Sequence, residues 1–157
     1  MIKGKVEGKN HPEIFPMQME DIDMVCSLDL ATFGADRSYF LKRRFHFYPA
    51  LCKVAKAGER IEGFIMGHYG HKGISVGPWV ASGMLESPLI LLQALALEVP
   101  EASITLGCLE ANQQAVQLLR SQAFTERPDS PWRMVYGEDV QFGMVEQNYA
   151  IGSPAKG

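Results

Sequence analysis

Two histidines, a glutamate and a cysteine stand beside predicted strand ends and turns, where a side chain can reach a bound molecule. His68 and His71 flank a turn, Glu110 directly precedes a helix, and Cys108 lies in a strand. Glutamate and histidine can serve as general bases, which makes Glu110 and His68 candidate catalytic residues. The simpler interpretations are exposed loop histidines, a helix-start carboxylate and a packed thiol. Spacing alone defines no Ser-His-Asp or Cys-His nucleophile, and no cysteine–histidine cluster has zinc spacing.

A strand–helix–strand–helix unit over residues 74–124 contains Cys108 and Glu110 and begins directly after the turn with His68 and His71. Residues 74–81 have the pattern of a strand, and a second apolar strand follows the first helix. Ser87 and Pro88 are residue types preferred at the N-cap and the first position of a helix. Asn112 opens a second helix with an apolar side at helical spacing. Such crossover units often bind ligands where strands end and helices begin.

The rest of the chain adds strands on both sides of this unit. The patterns predict helices over residues 20–33 and 38–47 and strands over 13–19, 51–57, 61–68, 124–126 and 132–138. Asp36 is predicted to cap the second of these helices and Arg37 to form a structural ion pair. The element order predicts an α+β fold with a mixed, mostly antiparallel sheet of six to seven strands and about four helices on its faces.

Length and composition predict one domain. The chain has 157 residues with a net charge of -3, which gives no case for nucleic acid or an anionic membrane as partner. We assign residues 1–12 to a loose lead-in that could instead hold a short edge strand, 13–151 to the domain and 152–157 to a frayed tail. Three scattered cysteines, a polar start and the lack of a long apolar run predict a reduced, cytoplasmic protein without a membrane span.

Short segments spread along the chain resemble the GNAT acetyltransferase superfamily. They cover residues 16–137, and the carrying residues are Leu28, Asp29, residues 33–37, Gly63, Phe64, Gly77, Pro78, Val80, Ala81, Asn112, Ala115, Leu118 and Phe124. The chain is most similar to the GNAT-like domain that often forms the second half of tandem acetyltransferases. The resemblance implies an acyl-CoA-dependent N-acyltransferase that moves an acetyl group from acetyl-CoA to a small-molecule primary amine.

The resemblance also implies where acetyl-CoA binds. In this superfamily the fourth and fifth strands splay apart, the pantetheine arm bonds the open backbone edge of the fourth strand, and the pyrophosphate lies on amides at the next helix start. The residues at the matching positions are Val80, Ala81, Ser82, Gly83, Ser87, Leu89 and Asn112. Pro78 lacks an N–H, so it favours a bulge that helps to open the sheet.

Three departures from the superfamily pattern favour a second hypothesis. Residues 82–87 have one glycine and no arginine where the pyrophosphate signature has two glycines and an Arg or Gln, and Glu86 adds a negative charge there. Leu119 stands where a tyrosine often acts as general acid, and Ala123 replaces a glycine. The alternative is therefore a catalytically silent GNAT-fold domain for substrate binding or subunit contact. Either hypothesis is compatible with a homodimer or with a partner acetyltransferase domain.

Overall fold

The structure is a computed structural model that describes residues 1–71, 73–127 and 143–152. It contains four α-helices and eight strands within these ranges. The helices are α1 (Ile22–Phe33), α2 (Ser38–Phe47), α3 (Leu89–Ala96) and α4 (Gln113–Ser121). The strands are β1 (Ile2–Gly4), β2 (Ile14–Pro16), β3 (Cys52–Ala57), β4 (Arg60–Gly70), β5 (Gly73–Ala81), β6 (Ile104–Leu106), β7 (Thr125–Glu126) and β8 (Asn148–Ala150).

All eight strands belong to one sheet with the order β2-β3-β4-β5-β6-β1-β7, and β8 pairs with β5 away from this path. The β5–β6 pair is parallel and the other pairs are antiparallel. The crossover from β5 through α3 to β6 requires this parallel pair, because a helix returns the chain to the same end of the sheet. The predicted α+β fold with a mostly antiparallel sheet is confirmed.

Helices cover both faces of the sheet. Apolar residues of α3 and α4, including Leu91 and Leu119, pack with strand residues in one buried cluster, and α1 and α2 contribute to a second cluster that includes Phe64. Gly63 and Gly67 let α3 approach β4 closely. A Cβ on Gly63 would lie 3.1 Å from Leu91 Cδ1, and one on Gly67 would lie 3.3 Å from Leu95 Cδ1.

No helix in the described ranges is long and apolar enough to span a bilayer.

Several predicted boundaries shift by one or two residues. The helix α3 begins at Leu89 rather than at Pro88, and the Ser87 side chain does not cap it, although Ser87 O accepts a hydrogen bond from Ile90 N. The second helix begins at Ser38, whose N–H donates to Asp36 Oδ1 at 2.8 Å. The N-cap of this helix is therefore Arg37, one residue after the predicted Asp36, and α1 ends as predicted at Gly34, which has a left-handed backbone.

The two chain ends differ most from expectation. Within the assigned lead-in, Ile2–Gly4 forms β1, which lies between β6 and β7 and not at an edge. Near the other end, β8 was not predicted, because three residues are too few to show an alternating pattern. The predicted strand over 132–138 lies outside the described residues, and so does most of the predicted frayed tail.

Candidate functional site

The sheet opens between β5 and β6. These strands pair over only three positions, from Ile74 with Ile104 to Val76 with Leu106. On the other side of β5, Val76 pairs with Gly67 and Trp79 with Ile65, so Gly77 and Pro78 together lie opposite a single β4 residue. This is the bulge expected at Pro78, and beyond it β5 no longer has β6 as its neighbour. We call the space between the second half of β5 and the chain after β6 the wedge.

The wedge contains the unpredicted strand β8. Trp79 pairs with Ala150 and Val80 with Asn148, with a register shift between the two pairs. On the opposite wall, Ile151 N donates to Gly107 O at 2.8 Å. The chain's own segment thus hydrogen-bonds to both walls of the opening. We call residues 143–152 the tail segment.

Asn112 holds the tail segment against helix α4. It is 2% exposed, and its Oδ1 accepts from Ala115 N at 3.0 Å, an N-cap bond at the helix start that the sequence predicts here. Its Nδ2 donates to the carbonyls of Val145, Glu146 and Asn148 at 3.0, 3.2 and 3.0 Å. Asn112, which the resemblance predicts to contact the cofactor, therefore donates its side-chain N–H groups to the tail segment instead.

Asn148 fixes the tail segment from within. Its Nδ2 donates to Thr32 O at the end of α1 and to Met144 O, at 3.1 and 2.8 Å. Next to it, Tyr149 lies against Trp79 with ring centroids 5.2 Å apart. Sequence reasoning did not find Asn148 or Tyr149 as site residues. No local signal identifies them, since their role depends on contacts with α1 and β5, which are far away in sequence.

The loop between β5 and α3 contains the other predicted cofactor contacts. Val80 and Ala81 are buried at the end of β5, and Ser82 N donates to Glu62 O at 2.7 Å. Gly83 and the unfavourable Glu86 are exposed. Within the described chain, the backbone N–H groups of residues 83, 86, 87 and 89 have no hydrogen-bond acceptor. Unpaired amides ahead of a helix can receive an anion such as a pyrophosphate.

The two candidate bases lie in different surroundings. Glu110 is exposed in the turn before α4, two residues from Asn112. His68 lies on β4 and pairs with Ser75 of β5. Ser75 is four residues before Trp79, where β8 pairs, so His68 is roughly 13 Å from that position along the strand. Geometry therefore places Glu110, and not His68, beside the wedge.

His68 is also engaged with another side chain. An Arg44 guanidinium N–H donates to its Nδ1, and burial together with the positive charge of Arg44 lowers the pKa of His68 below its ordinary value. The imidazole is therefore neutral near pH 7, and its acceptor nitrogen is occupied. Of the remaining candidates, His71 is exposed. Cys108 is half-buried, and burial raises the pKa of its thiol to about 11.

The comparison with known families identifies the fold type. The model of the acetyltransferase (GNAT) domain matches residues 25–150, which is most of the chain. The chain belongs to the GNAT acetyltransferase family. The match includes the tail segment as far as the end of β8. None of the curated proteins matches this GNAT chain in sequence.

Solved structures support the fold. A Pyrococcus horikoshii protein named as an acetyltransferase superposes with a TM-score of 0.62 at 17% identity, over 99% of this chain and 51% of its own. A GNAT-family acetyltransferase from Bacillus cereus gives 0.56 at 15% identity, over 82% and 87% of the two chains. One from Novosphingobium aromaticivorans gives 0.61 at 13%, over 80% and 59%. This GNAT chain spans about half the length of the Pyrococcus protein.

The residues of this GNAT domain fit acetyl-CoA only in part. The free amides before α3 suit a pyrophosphate, but β8 is paired with the edge of β5 to which the pantetheine arm would bond. Asn112 is likewise engaged by the tail segment. For metals, no group of three or more His, Cys, Asp or Glu side chains among the described residues is arranged to hold an ion.

Proposed function

We propose that this chain is an acyl-CoA-dependent N-acyltransferase that moves an acetyl group from acetyl-CoA to a primary amine. The observation that carries the proposal is the wedge: β5 and β6 separate after three paired positions, and a loop with unpaired amides leads from β5 into α3. A wedge of this kind offers backbone groups to an extended ligand with amide groups, and the loop offers N–H groups to its phosphates. Membership of the GNAT family supports the same function.

The proposed contacts are the backbone of Val80, Ala81, Ser82 and Gly83 along the arm, the amides of Ser87 and Leu89 at the phosphates, and the side chain of Asn112. Acetyl-CoA would supply the acetyl group as an activated thioester. Glu110 is the proposed base for the amine, because it is exposed next to the wedge and can hold a proton at its carboxylate. The three free cysteines are consistent with a reduced, cytoplasmic compartment.

One set of observations favours a second function, a catalytically silent GNAT-fold domain. The edge of β5 is paired with β8, and Leu119, at the position where relatives often have a tyrosine, is fully buried in the core. A leucine has no proton to give to a leaving thiolate. In this role the domain would bind a substrate or contact a partner acetyltransferase domain without transferring an acyl group.

A thermal shift with CoA and acetyl-CoA at millimolar concentration tests the cofactor site on which the acyltransferase function depends, and release of CoA from acetyl-CoA with a set of amines would contradict the silent-domain function. A ligand at a hundred times its dissociation constant adds about 2.7 kcal/mol of stability, which raises the Tm by several degrees for a domain of this size. Glu86→Gln, which removes a negative charge from the loop, is expected to tighten CoA binding about two- to fivefold. Glu59→Gln in the exposed β3–β4 turn is the matched control and leaves binding unchanged. If neither ligand raises the Tm of the wild type or of either variant, the acyltransferase proposal is contradicted.

A further inference from the structure

The tail segment lies where the proposed function requires a ligand, so any role of this segment in ligand binding rests on that function. The backbone of β8 pairs with Trp79 and Val80 on one wall, and Ile151 N donates to Gly107 O on the other. These are backbone hydrogen bonds to an extended chain, the same kind that a pantetheine arm with its amide groups would make. The two occupants therefore need the same groups of the protein.

We infer that the tail segment is an intramolecular competitor of acyl-CoA. While β8 is docked, the edge of β5 and the Asn112 amide are engaged and the arm has no partners. Acyl-CoA binds only to molecules in which residues 148–151 have left the wedge. The apparent affinity is then the intrinsic affinity reduced by the fraction of undocked molecules.

The contacts of the tail segment suit a reversible occupant. Asn112 and Asn148 hold it by hydrogen bonds to carbonyl groups of the backbone, and these carbonyls can be hydrated when the segment leaves. Its main aromatic contact is Tyr149 on Trp79. Its strand is three residues long and pairs with a register shift. Tyr149 and Ala150 are buried in the same apolar cluster as α3 and α4, so undocking exposes one aromatic ring and one methyl group. Local opening of one short segment still requires less free energy than unfolding of the whole domain.

The walls of the wedge lack side chains where the tail segment passes. A Cβ on Gly107 would lie 2.8 Å from Ile151 Cγ1, and a Cβ on Gly77 would overlap Ile151 O. Undocking therefore exposes a channel bounded by bare backbone, which is the shape that an extended arm requires. The two glycines serve either occupant.

Hydrogen exchange of the wild-type chain with saturating CoA tests displacement directly. The amides of residues 148–151 are expected to exchange faster when CoA is bound, whereas the amides of the β3–β4 hairpin exchange at an unchanged rate. If CoA binds and residues 148–151 keep their protection, the ligand does not use their place. That result overturns the inference and leaves the acyltransferase proposal standing.

A second test loosens the tail segment outside the wedge. Gly143 has a left-handed backbone (φ 74°), and a Cβ there would overlap Thr32 O, so Gly143→Ala should undock the segment. Gly58→Ala is the matched control, because Gly58 has a similar φ of 62° and its Cβ would meet nothing. We expect Gly143→Ala to lower the apparent Kd for CoA about fivefold or more and Gly58→Ala to leave it unchanged.

Ile151→Pro gives an independent route, since it removes the N–H that donates to Gly107 O. Exchange at residues 148–150 reports whether each variant has undocked. If an undocked variant binds CoA no more tightly than the wild type, the competitor role is wrong. If undocked variants and the wild type all fail to bind CoA, the proposed function fails and the inference fails with it.

Discussion

At the scale of single residues, Asp29 and Arg37 form an ion pair in which both charged side chains are buried. Arg37 Nε and Nη2 donate to the two carboxylate oxygens of Asp29 at 2.9 and 2.7 Å. The side chains are 1% and 7% exposed, and the guanidinium also lies 3.6 Å from the ring centroid of Phe33. This confirms Arg37 as the structural ion-pair residue. Two buried charges this close depend on each other, because neither is hydrated.

Asp29→Asn is expected to destabilise the domain by about 3–5 kcal/mol, because it leaves the Arg37 charge buried without its counter-ion. Urea denaturation followed by circular dichroism measures this loss. Glu126→Gln is the control, since Glu126 pairs with Arg120 at the surface, where the side chains are 66% and 67% exposed. That substitution should cost under about 1 kcal/mol. Equal losses in the two variants would show that the buried pair contributes no more than the exposed one.

At the scale of elements, Asn112 couples helix α4 to the tail segment. Its Oδ1 caps the helix and its Nδ2 binds three carbonyls of the tail segment. The two halves of one amide thus serve two elements. The sequence identifies the first role, because asparagine before an amphipathic helix is a preferred N-cap. The second role comes from the fold.

Asn112→Asp separates these two roles. Aspartate is as good an N-cap as asparagine, so α4 should keep its protection. The new carboxylate would face three carbonyl oxygens, and residues 148–151 should exchange roughly tenfold faster or more as their hydrogen bonds are lost. Hydrogen exchange with mass spectrometry reads both elements in one experiment. Asn112→Ala, which loses the cap as well, should speed exchange in α4 too, and identical behaviour of the two variants would refute this division.

At the scale of the whole molecule, helix α2 exposes an aromatic and basic surface. Tyr39 and Phe47 are 74% and 57% exposed, and the Arg43 guanidinium lies 5.7 and 5.1 Å from their ring centroids. Contiguous exposed apolar groups often mark an interaction surface. We propose that this α2 surface contacts a second copy of the chain.

Sedimentation velocity at two protein concentrations tests self-association. We expect a dimer that dissociates on dilution, and Tyr39→Ser combined with Phe47→Ser should shift it to monomer by removing the exposed rings. Met19→Ser combined with Met24→Ser is the control, because those side chains are also exposed but do not belong to the α2 surface. A wild-type monomer at both concentrations contradicts the homodimer proposal.

The sequence by itself determined the elements whose patterns are local. Helical spacing of apolar residues predicts α1, α2 and α4, and alternation on both sides of a short turn predicts the β3–β4 hairpin. The missing N–H of Pro78 predicts the bulge that opens the sheet. The resemblance to the GNAT superfamily places the expected cofactor contacts around this opening. The opening itself is predictable because it depends on a single proline within one strand.

The tertiary structure decided which segments fill the remaining positions of the sheet. The strand β1 lies between β6 and β7, and β8 enters the wedge beside β5. Both are three residues long, so they carry too little alternation to show a pattern, and their pairing partners are distant in sequence. For the same reason only the fold shows that Asn112 binds the tail segment and that His68 is engaged by Arg44.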